Sequence, residues 1–200
     1  MLLVIDSATA ACSVALLGAD GDILGEAHEV VGRGHAERLL PMIEAVLAGR
    51  RPNAILVDCG PGSFTGVRVG LAAARGLAIG WGVPVCGYSS MALIAAASGA
   101  PAATVALTGG HGELFVQDYG GDPIAPLGEL CSLPPDAAAA AVTAPLLLGS
   151  GARVLVEARG HGEWRDALPR AADARALPPE LRSLPPAPIY GRDPDARPMT

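Results

Sequence analysis

Lysine is absent from this sequence of 200 residues, whose fourteen basic residues are all arginine. A Walker A phosphate loop, a Schiff-base amine and a Ser-Lys dyad are excluded, because each needs an ammonium side chain. Charge is scarce, at 17% of residues, and its balance is −6. That argues against a chain that holds a nucleic acid unaided, since phosphate neutralisation supplies most of such affinity. No apolar stretch reaches the roughly 18 to 20 residues of a membrane span without a charge or a glycine. Met1 to Asp6 has no basic leader and meets an acid at once, so it reads as a first strand and the expected compartment is the cytoplasm. Cysteine pairs are missing too. Cys12, Cys59, Cys86 and Cys131 form no C-x-x-C and have no His at finger spacing, which predicts reduced, buried packing residues. His28, His35, His111 and His161 are dispersed, so no metal site is expected.

What the chain does have is apolar material, half of its residues. Leu2 to Ser7, Cys12 to Leu17 and Ile23 to Val30 read as three sequential antiparallel strands. The span 36–48 carries Leu39, Leu40, Met42, Ile43, Val46 and Leu47 at helical spacing, with Pro41 predicting a kink or a late start. A strand at 54–58, a glycine-rich helix at 63–80, a strand at 83–87 and a helix at 89–98 follow. Antiparallel strands followed by alternating helix and strand describe an α/β fold, the ribonuclease H-like half-unit of the actin-like ATPases. The second half reads as a strand pair, Thr104 to Leu107 and Glu113 to Tyr119, an alanine helix over 134–145, a strand at 146–148 and a tail broken by Pro178-Pro179 and Pro185-Pro186. The expected division is a first domain of 1–98 and a smaller second one of 99–200.

The stretch from Gly60 to Gly70 is the most specific. A strand end, a glycine turn and a helix start succeed one another, with Ser63 placed as N-cap and Thr65 in the first turn. Gly62, Gly66, Gly70 and Ala74 fall four apart, giving a smooth strip along the helix. Two readings share these residues: a helix N-terminus that takes an anion beside a face offered to a partner, or a glycine helix packed tightly on its own sheet.

Ile5-Asp6-Ser7-Ala8-Thr9 with Cys12 to Leu16, Arg33-Gly34-His35 through Pro41, Gly60 to Gly70 and Ser89-Ser90, in this order, resemble the blocks of the TsaB family, also called YeaZ. Leu148-Gly149-Ser150-Gly151-Ala152, Pro188-Ile189-Tyr190, Arg192 and Pro194-Asp195-Ala196 are similar to its later segments. The resemblance implies an actin-like subunit, itself not the catalyst, needed to make N6-threonylcarbamoyladenosine at position 37 of tRNA. It implies pairing with the metal-bearing catalytic subunit TsaD, together with the ATPase TsaE, through the first two helices, here 36–48 and 63–80. The subunit alone can pair with its own copy, and tRNA contact is indirect. The catalytic relative carries a His-x-x-x-His pair where this chain has Tyr88-Ser89-Ser90-Met91-Ala92, without histidine.

On this resemblance the interface draws on Arg33, His35, Arg38, Arg68 and Arg75 around Leu39, Met42, Ile43, Val67 and Leu71, with about half of the apolar set turned to the sheet instead. Asp6, Ser7, Thr9 and Ser13 are similar to a phosphate hairpin. Ala8 stands where that hairpin has Gly, so weak ATP or ADP binding at a subunit interface is expected rather than turnover. A stand-alone ATPase or kinase of the same fold is the alternative. Ser63, His35 and Asp58 as a hydrolase triad find no support in spacing. One departure from the family is Thr108-Gly109-Gly110-His111-Gly112-Glu113, which replaces an Asp-Ala-Arg element.

Overall fold

The computed structural model describes residues 1–191, so the family-like Arg192 and Pro194-Asp195-Ala196 lie outside the described residues. Strands β1 (Leu2–Asp6), β2 (Ala11–Leu17), β3 (Ile23–Val30), β4 (Ala54–Asp58) and β5 (Val85–Tyr88) form one sheet in the order β3-β2-β1-β4-β5. The first three are antiparallel in sequence, and β4 and β5 run parallel to β1. Helices α1 (His35–Leu47) and α2 (Phe64–Trp81) make the crossovers, and α3 (Ser90–Ser98) leads out. Alternation along β1 sends Leu3 and Ile5 to the α1 and α2 side and Val4 to the α3 side.

The second sheet repeats this plan. β6 (Ala102–Thr108) and β7 (Leu114–Gly120) are an antiparallel pair, with β8 (Ala125–Pro126) and β9 (Cys131–Leu133) both added to β7. Helix α4 (Pro135–Ala141) leads to β10 (Leu146–Leu148), which lies parallel to β6, and α5 (Ala152–Arg159) leads to the parallel β11 (Glu163–Arg165). The order β9-β7-β6-β10-β11 reproduces β3-β2-β1-β4-β5, with α4 and α5 where the first unit has α1 and α2. A ribonuclease H-like unit used twice is the actin-like ATPase fold. Helix α3 is apolar all round and lies between the two sheets, its Met91 to Ala95 buried in a core shared by both.

Several expectations are corrected in detail. Pro41 does not delay α1, which begins at His35; the proline is exposed, and the Glu37 carbonyl it deprives of a donor can turn to water. The alanine helix ends at Ala141 rather than 145, because Pro145 disfavours helical backbone at Ala144. Cys12 and Cys59 are buried, but Cys86 on the edge strand β5 and Cys131 on the short β9 are exposed. The tail does not stay with the second sheet. Its 3-10 turn Ala171–Ala176 packs on β2 and α3, Leu184 pairs with Gly87 along β5, and Ile189 N–H donates to the Cys59 carbonyl at 2.7 Å.

The glycine stripe of α2 is occupied by the chain itself. A Cβ at Gly62 would strike the Ala8 carbonyl, one at Gly66 the Ser7 carbonyl, and one at Gly70 the Ser7 hydroxyl at 2.5 Å. The turn between β1 and β2 is therefore seated on the helix, backbone against backbone. By contrast, Gly76 and Gly80 face open space. Gly66→Ala is expected to destabilise the protein by about 2–4 kcal/mol in urea unfolding. Gly76→Ala in the same helix should gain about 1 kcal/mol.

Candidate functional site

The turn 59–63 and the turn 7–10 stand side by side at the ends of β4 and β1. Ser63 N–H donates to the Ala8 carbonyl at 2.6 Å, and Ser63 Oγ caps the helix by accepting from Gly66 N–H at 3.2 Å, as its position predicts. Beneath them lies a pair of carboxyl groups. Asp58 accepts from Gly60 N–H at 2.8 Å and from the Ser90 hydroxyl at 2.8 Å. Asp6 accepts from the Tyr88 hydroxyl at 2.7 Å, while its Oδ1 has no donor facing it. Both acids are wholly buried. Burial, and then repulsion from Asp58, holds the Asp6 carboxyl well above the usual carboxylate range; burial, opposed by the Gly60 and Ser90 hydrogen bonds, pushes Asp58 up to about 6. Each carboxyl therefore favours its protonated form more than a solvated acid does, and their mutual interaction raises Asp6 while it lowers Asp58.

The four residues similar to a phosphate hairpin do not converge on open space. Asp6 is in the pair just described, Ser7 Oγ donates to the Gly66 carbonyl at 2.9 Å, and Ser13 Oγ accepts from Ala171 N–H at 2.9 Å; all three are buried. Thr9 alone reaches a cavity, its Oγ1 accepting from Ala11 N–H at 3.2 Å. A nucleotide site on that set is thereby corrected: the stripe on α2 draws the turn inward and closes it. The triad reading also fails on geometry. His35 Nε2 meets the Ala11 carbonyl at 3.2 Å, and Ser63 and Asp58 are engaged with the partners named above.

The interface set needs the same correction. Leu39, Met42, Ile43, Val67 and Leu71 all pack into the first sheet's core, and His35 is buried with them. Arg38 forms a two-pronged bond to Glu29, Arg75 donates to the Pro186 carbonyl at 2.6 Å, and Arg68 donates to the Tyr190 hydroxyl at 3.1 Å while lying 3.4 Å over the Phe64 ring. Arg33 is exposed. The outward faces are different residues: Ala36, Leu40 and Glu44 on α1, and Ala72, Gly76, Ile79 and Gly80 on α2. Ile79 is 85% exposed. The signal was present in the spacing, since 72, 76 and 79 lie away from the stripe 66, 70 and 74 on the helix.

Between the two sheets opens a cleft of about 960 Å³. The turns 7–10 and 108–112, the start of α2, Ser150 and Tyr190 line it. Among the described residues no three His, Cys, Asp or Glu side chains are grouped to hold a metal ion, and no helix is long and apolar enough to cross a membrane.

Comparison with known proteins places this arrangement. Residues 25–131 match the family model of TsaD, the tRNA N6-adenosine threonylcarbamoyltransferase. A solved Pseudomonas aeruginosa structure, described as similar to the peptidase YeaZ, superposes with a TM-score of 0.80 at 30% identity, over 96% of this chain and 99% of that one. The chain belongs to the TsaB (YeaZ) family. YeaZ from P. aeruginosa itself matches with a TM-score of 0.80 at 29% identity, over 94% of this chain and 98% of that one. The Escherichia coli tRNA threonylcarbamoyladenosine biosynthesis protein TsaB is 39% identical over 128 residues, 59% of this chain and 54% of its own length. The chain thus spans about half the length of the curated relatives it matches. These TsaB relatives are named for tRNA threonylcarbamoyladenosine biosynthesis.

The carboxyl pair fixes the sign of a pH effect. Both folded-state values lie above those of an unfolded chain, so the folded protein holds protons that the unfolded one releases. Stability contributed by the pair is full below about pH 4 and is lost as pH rises through about 6. Asp6→Asn mimics the protonated acid, with an amide donor toward Asp58. It should leave the melting temperature unchanged near pH 4.5 and raise stability at pH 8 by about 1 kcal/mol or more, read by thermal unfolding across that range.

Proposed function

We propose that this chain is the non-catalytic subunit of bacterial threonylcarbamoyladenosine synthesis, pairing with and activating the metal-bearing subunit TsaD. The observation that carries the reading is the outer surface of α1 and α2. Glycine within a helix costs about 1 kcal/mol relative to alanine. Gly66 and Gly70 have a reason inside the chain, but Gly76 and Gly80 have none. They flank Ile79, whose side chain stands almost fully in solvent. Two bare helix positions beside a projecting isoleucine form a flat seat with a knob, the relief that another helix needs to approach closely. Leu40, 53% exposed on the adjoining α1, widens the apolar area.

Two observations accord with a supporting role. The segment after β5 has no histidine, and Ser63, His35 and Asp58 of the candidate hydrolase triad are each engaged elsewhere. The acidic charge leaves tRNA to the partner. TsaE joins the assembly in this reading, and the free subunit pairs with its own copy through the same surface until TsaD replaces it.

The test is threonylcarbamoyl transfer to tRNA by a mixture of TsaD, TsaE, threonylcarbamoyl-adenylate synthase and substrates, with and without the chain. Product is expected only with the chain present; equal product without it would overturn the reading. Ile79→Asp and Gly76→Leu should each cut product formation at subsaturating chain by about tenfold or more, equivalent to about 1.4 kcal/mol of pairing. Neither should unfold the chain, because neither site touches the core: the melting temperature of Ile79→Asp should stay close to that of the parent, and that of Gly76→Leu should be no lower.

A further inference from the structure

A second, smaller pocket lies at the other end of β1 from the cleft, where Leu2 and Leu17 pair at the start of β1 and the end of β2. It is lined by these two leucines, by the turn of residues 18–21 and by Arg175 and Arg182. Both arginines come from the tail, one from the 3-10 turn Ala171–Ala176 and the other from the 3-10 turn Pro179–Arg182. A Cβ at Gly21 would stand 3.9 Å from Arg175 Cβ, so the tail meets the turn closely here.

Arginine elsewhere in this chain is spent. Every other described arginine except Arg33 holds a carboxylate, a carbonyl or a hydroxyl, as Arg170 holds Glu26 and Arg159 the Ala144 carbonyl. Arg175 and Arg182 have no such partner among the described residues, although Arg182 is half-buried. A guanidinium presents a planar fork of N–H donors that matches carboxylate and phosphate oxygens, and here two forks stand unused at one pocket. Asp20 on the turn is the one acid in the lining, and it forms no ion pair with either arginine. The pocket therefore has an excess of positive side chains in a chain whose overall charge is −6.

We propose that this pocket binds a small dianion on a short aliphatic frame, a dicarboxylate or a phosphate ester, with its oxygens held by Arg175 and Arg182 and its carbons against Leu2 and Leu17. The volume of about 430 Å³ accommodates a molecule of that size. Two arginines give forked, charge-assisted bonds that a singly charged acid cannot use in full. One side of the pocket belongs to the first unit and the other to the tail, so an occupant ties the tail to that unit. A ligand that binds only the folded chain raises its thermal stability. The pocket shares no residue with the α1 and α2 surface, and it does not depend on the subunit role proposed above.

Isothermal titration calorimetry and thermal unfolding of the full chain with succinate, glycerol 3-phosphate and acetate, all at one ionic strength, test this. At least one of the two dianions is expected to bind with a dissociation constant below about 1 mM and to raise the melting temperature. Which of them does so tells carboxylate from phosphate recognition. Arg175→Gln and Arg182→Gln should each weaken that binding by about tenfold or more, the scale of a lost charge-assisted bond. Asp20→Asn should strengthen it by about twofold or more, because a like charge is removed from the rim. None of the three side chains has a bonded partner to lose, so without ligand the variants should melt with the parent. Absence of binding by both dianions at millimolar concentration would overturn the proposal. So would acetate binding as tightly as the dianions, affinity unmoved by both arginine substitutions, or weaker binding by Asp20→Asn.

Discussion

The approach of one turn to one helix organises the first half of this molecule. Ser7 and Ala8 carbonyl groups rest where Gly66 and Gly62 have no side chain, and the Ser7 hydroxyl reaches the backbone of α2. Backbone in contact with backbone tolerates almost no displacement, because neither surface has rotamers to adjust. The contact sets how α2 lies on the sheet, closes the turn against solvent, and places Ser63 and Thr9 on one wall of the cleft. It also decides what the helix shows outward. With one stripe turned in, Ala72, Gly76, Ile79 and Gly80 are left on the far side.

The carboxyl pair lies directly under this contact and runs against the economy of the rest of the core. Two acids at the ends of adjacent strands, both without solvent, are tolerated because burial shifts both toward the protonated form and because Tyr88, Ser90 and Gly60 supply donors. Asp58 anchors the turn that starts α2, and Asp6 ends the strand that leads into the seated turn. Two loops that must keep register are thus tied by polar bonds as well as by packing. The second unit shares the connectivity but not the chemistry. Its corresponding turn carries Gly-His-Gly, and His111 is exposed.

Much of the architecture was legible in the residues. Alternation and apolar runs located the five strands and three helices of the first unit within about two residues, because those elements bury one face each and the pattern records it. The cap signal worked at Ser63, and the stop signal at Ala144-Pro145 held against a run of alanines that suggested a longer helix. The candidate interface was read less well. Apolar residues at helical spacing mark whichever face is buried, and the sequence does not say by what. Leu39, Met42, Ile43, Val67 and Leu71 therefore looked available when they are core. Nor did charge identify free arginines, since Arg68 and Arg75 are held by tail residues more than a hundred positions away. The similarity of Asp6 and Ser7 to a phosphate hairpin was sound as a guide to position. It misled about access, which depends on three glycines in another element.

The path of the tail bears on how the protein is made. The 3-10 turn at Ala171–Ala176 completes the core between β2 and α3, and Leu184 covers the edge of β5, so the unit at the front of the chain is finished by residues near its end. During synthesis the first five strands and their helices emerge with that edge bare and that patch of core open. They must wait for more than seventy further residues, the whole second sheet among them, before the strap arrives. A nascent chain in that interval presents an unpaired strand of the kind that invites pairing with neighbours. Of the two units, the one made earlier is the last to close.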